Sequence, residues 1–107
     1  MYLMVTLSVL IPVHDPNQVY EDYISDALSS ISIQKQKPDQ VLLVANHEIS
    51  YLESLRSRFR ETLEIEFKIS QANSAAENIN FGVIESKSQF VKLLFQDDKL
   101  IGDDCLT

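Results

Sequence analysis

Asp97 and Asp98 stand side by side where an apolar run, Phe90-Val-Lys-Leu-Leu-Phe95, gives way through Gln96 to polar chain. Carboxylates are hard oxygen donors, and a pair of them beside an anionic ligand works only with a cation in between, Mg²⁺ or Mn²⁺ being the fitting choice. Successive side chains of an extended segment point to opposite sides. The two aspartates therefore take unequal roles, one on the metal and the other on a more distant ligand or a ribose hydroxyl. An Asp-Asp pair also serves as a plain turn or as the cap of a following helix, and that reading stands beside the first.

Charge narrows the partners. A net charge of -7 and a pI near 4.6 argue against a nucleic-acid binder and against a polybasic membrane-surface patch, since both work by neutralising phosphates or anionic lipids. Any phosphate held here needs a cation. Other chemistries find no support: no Gly-x-Gly-x-x-Gly and no Walker loop are present. A phosphoacceptor receiver needs an acidic pair after its first strand, whereas the pair here follows the fourth. His14 and His47 have no third ligand spaced with them for zinc, His47 reads as a solvated loop residue, and no Ser-His-Asp set can be assembled.

The elements that would carry these residues alternate. Leu7 to Val13 is nearly continuous in apolar residues, as a strand covered on both faces requires, and Pro12 ends its ladder. After the turn chemistry of His14-Asp-Pro-Asn-Gln, the spacing of Tyr20, Tyr23, Ile24, Ala27, Leu28 and Ile31 predicts a helix that stops before Pro38. Val41 to Ala45 is a second strand, followed by the loop Asn46-His-Glu. Ser50 and Glu53 have capping-box spacing ahead of a helix marked by Leu52, Leu55, Phe59 and Leu63, whose Arg56, Arg58 and Arg60 form a solvated face.

Strict alternation over Glu64 to Ile69 places a third strand at a sheet edge. Ser74 and Glu77 suggest another capping box, and Ala76, Ile79, Asn80, Val83 and Ile84 a third helix with Gly82 on its buried face. The run from Phe90 reads as a buried fourth strand. Strand and helix alternating in this way imply an α/β fold, a doubly wound parallel sheet with helices on both faces and strand order 3-2-1-4. Ligands of such sheets lie beyond the carboxyl ends of the strands where the order reverses, here between His14-Asp15 and Asp97-Asp98, with Asn46 on the same rim.

At 107 residues, 45% of them hydrophobic, the chain makes one domain with a real core. It has 2 Gly and 3 Pro, and no linker divides it. The lone Cys105 fits a reducing cytoplasm, and the opening residues lack the charged start of a signal peptide. No apolar run approaches the ~20 residues that span a bilayer, which leaves peripheral attachment through other parts open. Gly102-Asp-Asp-Cys-Leu-Thr107 reads as the start of a further helix that the chain does not complete, as in a fragment of a longer protein.

Taken in order, Leu7-Ser-Val-Leu-Ile-Pro-Val-His-Asp15, Val41-Leu-Leu-Val44, the Asn80-Phe-Gly82 turn and Phe90 to Leu100 resemble the nucleotide-sugar-binding half of family 2 glycosyltransferases, which have the Rossmann-like GT-A fold. The resemblance covers nearly the whole chain. It implies a transferase that takes a sugar from a nucleotide-sugar donor to an acceptor not named by the sequence, in the context of cell-surface glycan biosynthesis. Pro12, Val13, His14 and Asp15 match the family's first nucleotide-binding loop, and Asp97 and Asp98 match its Asp-x-Asp motif. The resemblance assigns both Asp98 and Asp97 to Mn²⁺ or Mg²⁺, with Asp98 the better candidate for direct contact, and Asp97 to the nucleotide as well.

Three departures stand out. Asn46 occupies the place of the base-reading Asp, Phe95 that of an acidic residue before the pair, and Ile79 that of an arginine. The family's catalytic base lies beyond the position of Thr107, so the resemblance assigns none here. The competing reading is a non-catalytic nucleotide-binding domain that keeps the fold.

Overall fold

The computed structural model describes residues 6–71, 74–86, 88–102 and 105–106. Strands β1 (Leu7–Val13), β2 (Gln40–Ala45), β3 (Ile65–Ile69) and β4 (Phe90–Leu93) alternate with helices α1 (Glu21–Ser32), α2 (Leu52–Phe59) and α3 (Ala75–Glu85). All four strands are parallel, in the order β3-β2-β1-β4. This is the order that the alternation of elements predicts.

The two central strands carry the continuous apolar runs because helices cover both faces of the sheet. Val9, Ile11 and Val13 with Val41, Leu43 and Ala45 face the larger core, filled by Ile24, Ala27, Leu28 and Ile31 of α1 and Leu52 and Leu55 of α2. On the opposite face Leu10, Leu42 and Val44 meet Ile79 and Phe81 of α3. That helix lies so close that a Cβ added at Gly82 would fall 2.5 Å from Leu10 Cδ1 and 3.0 Å from Val44 Cγ2. Any larger residue there would have to displace the Leu10 side chain.

β3 lies at the sheet edge as its alternation predicts, but its burial falls off along the strand instead of alternating: Ile65 is buried, Glu66 and Phe67 are half-buried, and Lys68 and Ile69 are exposed. Several local expectations are corrected. β4 is an edge strand with Phe90, Lys92 and Leu93 exposed, because nothing among the described residues covers its outer side; only Val91 and the following Leu94 turn inward. The Ser50–Glu53 capping box does not form: the main-chain and hydroxyl groups of Ser50 both donate to Gln18 Oε1 (3.1 and 3.0 Å), Tyr51 takes the cap position, and Glu53 pairs with Arg56 at 3.8 Å. The Ser74 hydroxyl does accept from the Glu77 N–H, at 3.2 Å.

The phase of α3 also differs from the apolar reading. Its buried residues are Asn78 and Gly82, while Ala76, Val83 and Ile84 are exposed, because Asn78 is held inside by the Val44 carbonyl (2.9 Å) and the Ser70 hydroxyl (2.6 Å). Tyr23 of α1 likewise points outward. Arg56, Arg58 and Arg60 sit at the surface in ion pairs of 3.6 to 4.0 Å, as a solvated face should. The helix expected from Gly102 falls partly on Asp103, Asp104 and Thr107, which lie outside the described residues. Leu106 is buried in the larger core, and the Cys105 N–H donates to Gln34 Oε1 at 2.8 Å.

Candidate functional site

Parallel strands deliver all their carboxyl ends to one edge of the sheet. The chain winds from β1 through β2 to β3 on one side and then crosses to β4 on the other, so a crevice is left between the ends of β1 and β4. A cleft of about 450 Å³ occupies it. Pro12, Val13 and His14 line it from β1, Asn46 from the end of β2, and Phe95, Gln96 and Asp97 from the segment after β4. Tyr20 and the first turn of α3, through Ser74, Ala75, Asn78 and Ile79, complete the wall. Apolar side chains with a few polar groups among them suit a small organic ligand.

Asp15 lies beneath this wall. Its side chain is completely buried, and its carboxylate accepts from the N–H of Val19 (2.8 Å), the N–H of Tyr20 (2.9 Å) and the hydroxyl of Tyr51. Burial pushes its acidity the other way, but the Tyr51 hydroxyl, the two main-chain donors and nearby His47 together hold the carboxyl below its ordinary value. The same contact works on Tyr51, whose phenol is raised well above its usual range by burial and by the Asp15 carboxylate. The turn from Asp15 to Gln18 is closed by the Gln18 N–H on the Asp15 carbonyl at 3.1 Å, with Gln18 in the left-handed region at φ 57°. Asp15 therefore shapes the loop that carries His14.

His47 is half-buried rather than solvated, because two neighbours claim its ring. The Asp15 N–H approaches Nε2 at 3.3 Å and Nδ1 lies 2.8 Å from Asn46 Oδ1; in the neutral ring Nε2 is then the acceptor and Nδ1–H donates to Asn46. His14 meets it edge to face, with ring centroids 5.5 Å apart at 84°. Two histidines distant in sequence thus become neighbours across the ends of β1 and β2.

Asp97 is on the cleft wall and Asp98 is next along a turn closed by the Asp98 N–H on the Phe95 carbonyl at 3.0 Å; both side chains are exposed. Among the described residues no group of three or more His, Cys, Asp or Glu side chains is arranged to hold a metal ion. Of the residues singled out in the sequence, Pro12, Val13, His14, Asn46 and Asp97 line the same cleft; Asp15 is buried behind Tyr20, and Asp98 follows Asp97 along its turn. Sequence reasoning passed over Tyr51, Asn78 and Gln96. Tyr51 and Gln96 act across 36 and 82 residues of chain and leave no local pattern, whereas a polar Asn78 inside an apolar helix was a readable signal.

Comparison with solved structures finds the same fold in larger proteins. S. aureus TarS superposes with a TM-score of 0.74 at 19% identity, over 92% of this chain and 18% of that one. The fold is GT-A. TarS residues 1–349, solved with UDP, match the GT-A core equally, at a TM-score of 0.74, 19% identity, 92% of this chain and 29% of that. The mannosyltransferase PcManGT of Pyrobaculum calidifontis, solved with GDP-Man and Mn²⁺, gives a TM-score of 0.69 at 17% identity, over 90% of this chain and 28% of that. The GT-A core described here therefore spans less than a third of each of these proteins. No family model and no curated protein matches the sequence.

Proposed function

We propose that the protein binds the nucleotide end of a sugar nucleotide, as the donor-binding part of a family 2 glycosyltransferase. The observation that supports this most directly is the cleft at the carboxyl ends of β1, β2 and β4 with Asp97 in its wall, in a GT-A core whose structural neighbours were solved with UDP and with GDP-Man. Pro12, Val13, His14 and Asn46 receive the nucleoside, and Asp97 and Asp98 face its diphosphate. Two adjacent carboxylates are a hard-oxygen donor set, and Mg²⁺ or Mn²⁺ held by one or two carboxylates is completed by phosphate oxygens and water. Asp98, with Asp97, would hold that ion, which supplies positive charge to the diphosphate.

The sign of the electrostatics makes the ion necessary. A diphosphate charge ~4 Å from a carboxylate costs about 4 kcal/mol at an effective dielectric near 20, and among the described residues no lysine or arginine lines the cleft to offset it. Titration calorimetry with UDP, GDP and CDP, each with and without Mn²⁺, tests the reading. Binding should require the metal and should fall in Asp98→Asn; tight binding without metal, or binding unchanged by that substitution, removes the acidic pair from the function. No helix among the described residues is long and apolar enough to cross a membrane. A second reading, a GT-A domain that binds nucleotide without transferring sugar, rests on Asn46 standing where the family carries an acid. Measuring donor hydrolysis and transfer by the whole protein separates the two.

A further inference from the structure

Main-chain groups of alternate residues in β1 face β4. The Leu10 carbonyl accepts from the Leu94 N–H at 2.9 Å, and the next residue on that side is Pro12, which has no N–H to give. The ladder fails there, and the cleft opens where the strands part. The following residue on the same side is His14. Its N–H donates to Gln96 Oε1 and its carbonyl accepts from Gln96 Nε2, both at 2.8 Å. A carboxamide offers an acceptor and a donor side by side, as a peptide group does, so the Gln96 side chain remakes the two-bond exchange that the backbone cannot continue past proline.

Resting on the reading of the cleft as a donor-nucleotide site, we propose that Gln96 is its positioning residue. The carboxamide ties the segment after β4 to the loop after β1, and so fixes Asp97 relative to His14 across the cleft. Among the described residues, Asp97 otherwise stands on an exposed turn closed by the Asp98 N–H on the Phe95 carbonyl. Neither an aliphatic side chain nor a carboxylate replaces the clasp. Leucine has neither group, and glutamate can accept from the His14 N–H but meets its carbonyl with negative charge.

The test uses the full chain with Mn²⁺ and UDP as probes. In Gln96→Leu the His14 amide should exchange its hydrogen faster, and the affinity for Mn²⁺–UDP should fall about tenfold, a loss of the size expected for two partly exposed hydrogen bonds. Gln96→Glu should lie between Gln96→Leu and the unsubstituted chain. In NMR spectra of the unsubstituted chain, bound Mn²⁺–UDP should broaden the His14 and Asp97 amide signals together, and in Gln96→Leu the His14 signal should escape. The urea midpoint of Gln96→Leu should fall by no more than about 1 M, so that affinity is read on folded chain and a loss of binding is separated from unfolding. Wild-type affinity in Gln96→Leu, with both amides still broadened, overturns the inference while leaving the donor site standing. An unsubstituted chain that binds neither Mn²⁺–UDP nor Mn²⁺–GDP refutes the donor-site reading itself and takes the role of Gln96 with it.

Discussion

Replacing Asp15 by Ala removes one acceptor from three donors at once. The Val19 and Tyr20 N–H groups lie near the surface, where water can take over, so each costs no more than about 0.5–1 kcal/mol. The Tyr51 hydroxyl is different: the residue is 7% exposed, and an orphaned donor there costs about 1–3 kcal/mol. The sum is about 3 kcal/mol, a large share of the ~5–15 kcal/mol typical of a domain. With a urea m-value of roughly 1.3 kcal/mol/M, the midpoint should drop by about 2 M. The sequence has no tryptophan, so far-UV circular dichroism is the probe.

Tyr51→Phe alone should cost about 1–2 kcal/mol. The pair should be non-additive, because either change breaks the same bond. Acid behaviour follows from the lowered carboxyl of Asp15: the folded chain binds that proton less readily than the unfolded one. Its contribution is thus fully present above the unfolded value near 3.8 and is lost as pH falls through the lower folded value. Asp15→Asn should remove that part of the acid slope. An Asp15→Ala chain within 0.5 kcal/mol of the original, or strict additivity with Tyr51→Phe, would refute the buried network beneath the cleft.

Two further substitutions probe the cleft's other wall. Gly82→Ala puts a methyl group against Leu10 and Val44 and should destabilise by about 1–2 kcal/mol despite alanine's better helix propensity; thermal unfolding that shows equal or greater stability contradicts the close approach of α3. Asn78→Ala removes the amide that donates to the Val44 carbonyl and accepts from the Ser70 hydroxyl, and should cost about 1–3 kcal/mol in urea unfolding, with faster exchange of the α3 amides than of β1 and β2.

What the sequence made legible was whatever depends on local periodicity. β1 and β2 announce themselves as unbroken apolar runs, α1 by Ile24, Ala27, Leu28 and Ile31, and the edge position of β3 by its alternation. β4 misleads because an apolar run looks the same whether its flank is covered or open. On α3 the buried position of Gly82 is legible, but Ala76, Val83 and Ile84 face outward, because the inward place of Asn78 is selected by a hydrogen-bond clamp rather than by hydrophobicity. Ser50 was assigned to its own helix but is claimed by Gln18, 32 residues away. The strand-end location of His14, Asn46 and Asp97 followed from topology alone. The partners that fix them, Tyr51, His47 and Gln96, are set by tertiary contact and were invisible to spacing.

The two faces of the sheet are unequal, and this bears on how the molecule opens. Among the described residues, eighteen buried apolar side chains gather on the face covered by α1 and α2, against three on the face covered by α3. Cooperative units with few buried apolar contacts open at a lower free energy than the global transition. The α3 side, which carries one wall of the cleft, should therefore open at a lower free energy than the α1–α2 layer, and native-state hydrogen exchange should show the α3 amides exchanging ahead of those of β1 and β2; equal protection would contradict this.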